Sequence, residues 1–304
     1  MTSEEHRQIL ERIVSSLEKI EGLLASTPNG TRYRTIAPAQ EQFAQDDSLP
    51  GVTTSLLERR DDLVETFLSS KGIQIKVRKP EDAADGVIDS LSIFLGERFS
   101  ALRNILMKIK RSMQTGGPIT EQLSKLTQED ISSVCQFCSR LHAIAFLEQY
   151  KYFRSPQYTI RAKTTTLPKA QMFFGGQWLE RFTLQKLKQV HSIAQAEAGE
   201  QVEFQYLLNP QVILPNGDDF ELDIIAVIGG NPFWIEAKSG DYQQHVQKYS
   251  RLARQLGLDY THSMMVLTDV ADDQCDALSS LFSMTVANLN TFSDKVLSAL
   301  RNEM

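Results

Sequence analysis

The sequence NGDDFELDIIAVIGGNPFWIEAKSG, at residues 216–240, carries the strongest structural pattern in the chain. Two apolar runs, Leu222–Ile228 and Phe233–Ala237, lie on either side of the tetrapeptide GGNP at 229–232. Short segments rich in β-branched and aromatic residues, joined by a turn that contains Gly and Pro, are typical of a β-hairpin. The sequence therefore predicts two adjacent antiparallel strands here.

Three charged residues interrupt these apolar runs. Asp223 lies in the first run, and Glu236 and Lys238 lie at the end of the second. Side chains two positions apart on a strand project to the same face, so Glu236 and Lys238 should point together. Burying charges is costly unless they are paired or bind a metal, and oxygen ligands suit Mg²⁺. The pattern indicates a hard-cation site; the alternative is a surface hairpin with a solvated Glu/Lys pair.

The spacing of these charges resembles that of the PD-(D/E)XK nuclease superfamily. Twelve residues separate Asp223 from the tripeptide Glu236-Ala237-Lys238. The resemblance implies that Asp223 and Glu236 bind a catalytic Mg²⁺ or Mn²⁺, with the carbonyl of Ala237 as a further ligand. It implies that Lys238 positions or activates the attacking water. It also implies a restriction-endonuclease-like core in the order helix, three strands, helix, strand (αβββαβ).

A narrower resemblance adds Glu180 to the candidate site. The segments GGQWLE at 175–180, ELD at 221–223 and IEAKSG at 235–240 are similar to the nuclease domain of CARF-linked CRISPR ancillary nucleases. In that group a Glu on the helix before the sheet often joins the site, and Glu180 matches its position as a catalytic and metal-binding residue. The resemblance extends over residues 172–270. It departs from the family at Leu222, where Pro is common, and in the first half, where no CARF domain is recognisable.

The pattern around Glu180 supports its place in the site. A helix predicted at 177–194 places Glu180 on the same side as Leu184 and Leu187. A carboxylate among core-facing leucines is explained by metal coordination or by a salt bridge to a lysine. On the next helix, Gln244 and Lys248 are candidate nucleic-acid contacts, or part of an ordinary solvated face. The other elements predicted in this half are a strand at 202–214, helices at 241–256 and 291–302, and a strand at 262–268.

The first half of the chain predicts mainly helices. Residues 1–25 predict an amphipathic helix with leucines and isoleucines spaced three and four apart, as in a short coiled coil. This helix either packs on its own domain or joins two subunits in a homodimer. Residues 26–52, rich in Pro, Gly, Asn, Gln and Asp, predict a linker. Beyond it, the pattern predicts helices at 53–72 and 81–113 and a short strand at 73–77.

Residues 119–165 predict a winged-helix-like part of a domain at 53–171. The expected elements are helices at 119–126 and 128–146 and a hairpin around Ser155-Pro156. Arg140 is the only Lys or Arg of the second helix, so this helix is not expected to read DNA bases. The unit is then either structural, a dimerisation element or a non-specific contact for the nucleic-acid backbone. On the hairpin, cations alternate with aromatic residues, which suits a backbone contact. The candidate nucleic-acid-binding cations are Lys151, Arg154, Arg161 and Lys163.

Composition limits the class of protein. The 304 residues are 41% hydrophobic and 23% charged, which is ordinary for a globular protein. No stretch approaches the ~20 apolar residues that span a bilayer, and the polar N-terminus is unlike a signal peptide. Three cysteines favour a reduced, cytoplasmic location, and Cys135 and Cys138 lack a second pair for a zinc site, so they are expected to be core thiols.

Charge is distributed unevenly along the chain. The formal net charge is −6, but residues 101–190 contain 14 Lys and Arg against 5 Asp and Glu. A basic middle in an acidic chain indicates a surface that faces phosphate, unless the clustering is accidental.

These features together predict an α/β protein, α+β overall, with a mainly helical N-terminal half and a nuclease-like domain at 172–304. The predicted function is that of a metal-dependent endonuclease acting on DNA. The alternative is a non-catalytic nucleic-acid-binding or assembly module built on the same fold. The motif does not distinguish DNA from RNA or single strands from duplexes, and the superfamily's commoner substrate is the reason for choosing DNA.

Overall fold

The computed structural model describes residues 62–303, which form an α/β fold as predicted. The helix predicted at 1–25, the linker predicted at 26–52 and the first nine residues of the helix predicted at 53–72 lie outside the described residues. The helices are α1 Leu63–Ser70, α2 Asp85–Glu97, α3 Phe99–Thr115, α4 Gln128–Ala143, α5 Pro168–Met172, α6 Trp178–Ala198, α7 Val246–Leu256, α8 Asp272–Phe282 and α9 Phe292–Glu303. The strands are β1 Gln74–Val77, β2 Ile119–Gln122, β3 Leu147–Phe153, β4 Thr159–Thr164, β5 Phe204–Leu208, β6 Gln211–Ile213, β7 Asp219–Glu221, β8 Ile224–Ile228, β9 Asn231–Lys238, β10 Ser263–Leu267 and β11 Thr285–Asn288.

A mixed five-stranded sheet, in the order β11-β10-β9-β8-β5, carries the predicted hairpin. Strands β5, β8 and β9 are antiparallel, whereas β9, β10 and β11 are parallel. Gly229 and Gly230 form the two-residue turn, with φ angles of 56° and 85°. Positive φ at both turn residues matches the right-handed twist of the flanking strands, which explains the two glycines. The hairpin prediction is confirmed.

Both faces of this sheet are covered, which explains why its strands are almost continuously apolar. Ile224, Ala226 and Ile228 face one core, which also contains side chains of α6 and α9. Ile225 and Val227 face a second core, formed with α1, α7 and α8. The candidate site lies at the ends of these buried strands.

The prediction of one continuous strand at 202–214 is wrong, because two separate strands occupy this segment. The chain breaks at Asn209, where φ is +50°, and at Pro210. Strand β5 stays in the central sheet, whereas β6 leaves it and pairs with β1 and β7 in a separate antiparallel sheet. Pro210 has no N–H for a sheet ladder, and Asn is one of the few residues that tolerate positive φ, so both residues suit a break.

The winged-helix-like part contains one correction. The helix predicted at 119–126 is wrong, because Ile119–Gln122 is strand β2, with residues alternately buried and exposed. It pairs with β4 in a three-stranded sheet of order β2-β4-β3. The following helix α4 begins as predicted after Thr127, whose side chain accepts a hydrogen bond from the Asp130 amide at 3.1 Å. Cys135 and Cys138 on this helix are free thiols, and Cys138 is fully buried.

Side chains from both sides of the predicted boundary at 171/172 contribute to one core. Phe99 of α3 stacks on Trp178 of α6, with 5.6 Å between ring centroids. Gly96 of α2 packs against the ring of Phe182. The division into domains at 53–171 and 172–304 stays a prediction. Of the helices between residues 62 and 303, none has both the length and the apolar character to cross a lipid bilayer.

Candidate active site

Asp223, Glu236 and Lys238 meet at one end of the β8–β9 hairpin. Asp223 directly precedes β8, and the other two residues end β9. The Lys238 Nζ atom lies 2.9 Å from Asp223 Oδ2 and 3.1 Å from Glu236 Oε2. Only 5% of the surface of Asp223 and 1% of that of Glu236 is exposed. The structure thus brings the three residues of the predicted motif together as a buried cluster, and not as a solvated surface pair.

Neighbouring donors hold the two carboxylates in place. The indole N–H of Trp234 donates to Glu236 Oε1 at 3.2 Å, and the amide of Asp223 lies 3.4 Å from the same oxygen. The amide of Ala237 donates to Asp223 Oδ2 at 2.8 Å. The backbone of the hairpin therefore fixes the orientation of both carboxylates. The predicted role of the Ala237 carbonyl as a metal ligand stays a prediction.

The electrostatics of the cluster favour an additional positive charge. Burial, followed by repulsion from Asp223, raises the pKa of Glu236 well above its ordinary value. Burial alone lowers the pKa of Lys238, but Glu236 and Asp223 outweigh it and raise that pKa. Two buried carboxylates share one ammonium here, and their charges contribute to both shifts. A cation near the carboxylates would relieve this excess of negative charge.

Glu180 lies beside the cluster and is connected to it through Asn209. The Asn209 side-chain amide donates to Glu180 Oε2 at 2.8 Å, and its backbone amide donates to the carbonyl of Asp223 at 2.9 Å. Burial and then the charge of Asp223 raise the pKa of Glu180 to about 7. The side-chain oxygen of Asn209 is itself buried without a hydrogen-bond partner in the described part of the chain. An unsatisfied oxygen beside two carboxylates suits a bound cation or water.

The sequence pattern missed two residues of this site, Asn209 and Tyr249. Asn209 follows an apolar strand and gave no sign of its contact with a helix 29 positions earlier. Tyr249 of α7 is buried. Its ring nevertheless lies 5.6 Å from Lys238 Nζ, so it covers the ammonium of the motif. Only its position on the helix that follows the motif could have indicated this contact.

The predicted nucleic-acid-binding residues lie outside the cluster. Lys151, Arg154, Arg161 and Lys163 are exposed on the β3–β4 hairpin. Lys163 pairs with Glu148 at 2.8 Å. Gln244 and Lys248 are also exposed, and the structure does not bring either one into hydrogen-bond contact with the three motif residues. Their contacts among the described residues are a hydrogen bond from Gln244 to Asp241 and the stacking of Lys248 over the ring of Phe220.

The described residues do not form a ready-made metal cage. Between residues 62 and 303, no three His, Cys, Asp or Glu side chains are grouped closely enough to hold a metal ion. Asp223 and Glu236 form a pair, and the side chain of Glu180 accepts a hydrogen bond from Asn209. A divalent cation would have to complete its shell with backbone oxygen, amide oxygen, water or substrate.

Comparisons with known proteins identify the fold but no family. No family model and no curated protein matches the chain. Among solved structures, protein VC1899 from Vibrio cholerae is similar at 17% identity and a TM-score of 0.50, over 78% of this chain and 60% of that one. Can2 from Sulfobacillus thermosulfidooxidans, solved in complex with cyclic tetra-adenylate, is similar at 13% identity and a TM-score of 0.50, over 77% and 60%. The chain thus spans about 60% of the length of these neighbours, with which it has a fold in common.

Proposed function

We propose that this protein is a metal-dependent nuclease of the PD-(D/E)XK type, an endonuclease that hydrolyses phosphodiester bonds in DNA. The observation that carries the proposal is the buried cluster in which the carboxylates of Asp223 and Glu236 both lie within 3.1 Å of the Lys238 ammonium. Two apolar strands would gain nothing in stability from such charges over apolar residues of similar volume. Can2, with which the chain has a fold in common, was solved in complex with cyclic tetra-adenylate, so a neighbour with this fold binds a ligand that contains phosphodiester bonds.

The oxygen donors fit a hard divalent cation, Mg²⁺ or Mn²⁺. Asp223 and Glu236 would hold it, with Glu180 and the Ala237 carbonyl as the further ligands that the motif predicts. Two features of the structure support the fit: the excess of buried negative charge and the unsatisfied oxygen of Asn209. A bound cation of this kind would polarise the scissile phosphate and make a nearby water more acidic.

The protein's own residues account for the remaining chemistry. Lys238 is fixed by two carboxylates, so its ammonium is already oriented before a phosphate arrives. From there it would donate to a non-bridging phosphate oxygen, where negative charge grows in the transition state. The Trp234 indole and the Ala237 amide keep the carboxylates from following the ammonium. The ring of Tyr249 shields it from solvent on one side.

The β3–β4 hairpin offers a surface for the nucleic-acid backbone. Lys151 and Arg161 are directly opposite each other across the two strands, and both lie over the ring of Phe153, at 5.1 and 5.3 Å from its centroid. Like charges at opposite positions destabilise a strand pair. A phosphate bound between them would remove that cost. Arg154 lies on the same exposed hairpin, whereas Lys163 has Glu148 as a partner and would contribute less.

One observation favours the second candidate, a non-catalytic nucleic-acid-binding or assembly module. The ammonium of Lys238 already neutralises part of the charge between Asp223 and Glu236, so the cluster could be a closed ion-pair network without metal. The two candidates differ in cleavage, not in binding. The nuclease requires a divalent cation and the intact cluster, whereas the module requires neither.

Cleavage of single- and double-stranded DNA and RNA, with Mg²⁺, Mn²⁺ or EDTA, tests the proposal. Wild type should cut DNA only with the cation, and Glu236→Gln should reduce cutting by at least about a hundredfold. Glu221→Gln is the matched control, because this exposed carboxylate lies two residues before Asp223. It should cut like the wild type. Binding without any cutting by the wild type would favour the non-catalytic module.

A further inference from the structure

Helix α3, from the predicted helical half, runs past the edge of the central sheet where Lys238 ends β9. Arg103 on this helix pairs at 2.9 Å with Asp269, which follows β10. Two turns further along, Lys110 Nζ lies 3.3 Å from the hydroxyl of Ser239, the residue directly after Lys238. Strands β9 and β10 are direct neighbours in the parallel part of the sheet, so this one helix contacts the residues that follow both strands. The helix therefore lies along the carboxyl ends of the parallel strands, where α/β sheets commonly bind ligands.

Lys110 differs from the other basic residues of this helix because it is half-buried and has no counter-charge. Arg103 pairs with Asp269, and Lys108 pairs with Glu121. Among residues 62–303, no carboxylate oxygen lies within 4.0 Å of Lys110 Nζ, and the Ser239 hydroxyl is its one hydrogen-bond partner. Burial lowers the pKa of Lys110, and the more distant Asp269 opposes that shift. A partly desolvated cation without a counter-charge is costly to maintain unless an anion binds it.

We infer that Lys110 binds a phosphate of the nucleic-acid substrate next to the scissile one, and so positions the strand over Lys238. The inference rests on the proposed nuclease function and extends its binding site into the first half of the chain. The Lys110 ammonium contacts Ser239, and Ser239 directly follows the proposed catalytic residue Lys238 in the sequence. A compact ammonium on a flexible stem suits a phosphate as a point charge.

The same helix connects the catalytic end of the sheet to the basic hairpin. Two residues after Lys110, the hydroxyl of Ser112 lies 3.1 Å from that of Thr164, the last residue of β4. Arg161 precedes Thr164 on this strand. Lys110 is a positioning residue in this scheme and takes no part in bond cleavage.

Three variants test the inference. Lys110→Met removes the charge and keeps the length, and Lys110→Arg keeps the charge. Lys125→Met is the matched control, because Lys125 is exposed, lies in the same basic part of the chain and loses the same charge. Binding is measured in a Glu236→Gln background with fluorescein-labelled single- and double-stranded DNA of one sequence, by anisotropy over a series of KCl concentrations. Steady-state cleavage is measured in the wild-type background.

A phosphate contact predicts a particular set of results. Lys110→Met should weaken binding several-fold, on the order of three- to tenfold, and reduce the slope of log affinity against log salt by about one. It should raise KM more than it lowers kcat, and Lys110→Arg should restore most of the affinity. Because the substitution removes an unpaired half-buried charge, the melting temperature should not fall. Lys125→Met should change neither the salt slope nor KM.

Other results would overturn the inference in distinguishable ways. If Lys110→Met lowers the melting temperature and leaves KM and the salt slope unchanged, Lys110 is a structural link to Ser239. If Lys125→Met has the same effect as Lys110→Met, the effect is one of general charge and not of a site. If the wild type cuts no substrate but Lys110→Met still reduces the salt slope of binding, the nuclease proposal fails while the phosphate contact remains. If the wild type neither cuts nor binds, both fail.

Discussion

Asp223 and Lys238, 15 positions apart in sequence, form a 2.9 Å ion pair at the open end of the β8–β9 hairpin. Glu236 joins the same ammonium at 3.1 Å. One cation therefore serves two carboxylates, both almost completely buried. Removing the cation leaves two uncompensated charges in a low-dielectric site, so stability and activity are coupled at Lys238.

Replacing Lys238 by Met should therefore destabilise the fold. Loss of one member of a buried ion pair typically costs about 3 kcal/mol or more, and part of Lys238 is exposed, so we expect about 2–3 kcal/mol. Urea unfolding followed by circular dichroism measures this change. The control is Lys76→Met, which breaks an exposed 2.9 Å pair with Asp219 and should cost less than about 1 kcal/mol. Equal losses in the two variants would contradict the buried-network interpretation.

Replacing Glu236 by Gln should separate metal binding from folding. The amide oxygen can still accept the hydrogen bond from the Trp234 indole, while a buried charge is removed. In EDTA the melting temperature of the variant should equal or exceed that of the wild type. Added Mg²⁺ or Mn²⁺ should raise the melting temperature of the wild type, because a ligand that binds only the folded state stabilises it. The variant should lose this increase.

The control for that experiment is Glu221→Gln, which removes an exposed carboxylate close in sequence. It should keep the metal-dependent increase in melting temperature. An increase of the same size in Glu236→Gln would place the metal elsewhere. The absence of any increase in the wild type would favour the metal-free ion-pair network.

The hairpin and its three charged residues were predictable because local patterns determine them. A Gly-Gly turn between two apolar runs favours one register, and the period of two places Glu236 and Lys238 on one face. Glu180 was predicted from a resemblance, and the structure places it beside Asp223 only through Asn209. That contact depends on how α6 packs against the break between β5 and β6, which no local pattern records.

Strand β2, in contrast, could not be predicted from local sequence patterns. The sequence of Ile119–Gln122 is too short for periodicity to distinguish a strand from a helix. Pairing with β4, some 40 residues later in the chain, decides its conformation. The contact between Lys110 and Ser239 is of the same kind, since 129 positions separate the two residues.

Replacing Asn209 by Gly should leave the stability of the fold largely unchanged but should impair the candidate active site. Its φ of +50° is strained for most residues, and Gly adopts it freely. Asn209→Ala should cost about 1–2 kcal/mol more stability than Asn209→Gly, because Ala is disfavoured in the left-handed region. Both variants remove the hydrogen bond to Glu180, so both should reduce metal-dependent cleavage by a similar factor. Urea unfolding and cleavage rates measured on the same samples check this prediction, and full activity of Asn209→Gly would exclude a role for this contact.

Stability in acid should depend on Asp259. Burial opposes the shift, but hydrogen bonds from Thr261 and His262 lower the pKa of Asp259 from 3.8 to about 2. A carboxyl whose pKa is lower in the folded state contributes stability above its unfolded pKa and loses it as the pH falls. The contribution should therefore be complete above about pH 4 and disappear towards pH 2. Asp259→Asn should flatten the dependence of the urea midpoint on pH in this window, and an unchanged slope would contradict the assignment.

Gly96 of α2 packs against Phe182 of α6, so its substitution tests whether the two predicted domains fold together. A Cβ at Gly96 would lie 2.2 Å from Phe182 Cδ2, well inside van der Waals contact. Gly→Ala inside a helix ordinarily stabilises it by about 1 kcal/mol. Here overpacking should outweigh that gain and destabilise the protein by about 1–3 kcal/mol.

Gly86→Ala is the matched control, because Gly86 lies in the same helix with nothing within 4 Å of the added Cβ. It should be neutral or stabilising. Phe182→Leu combined with Gly96→Ala should recover part of the loss, since the clashing ring is removed. If the helical half and the nuclease-like half unfold as one unit, Gly96→Ala will shift a single cooperative transition seen by calorimetry. Two transitions, of which only one moves, would show that the boundary predicted at 171/172 separates independently folding domains despite their common core.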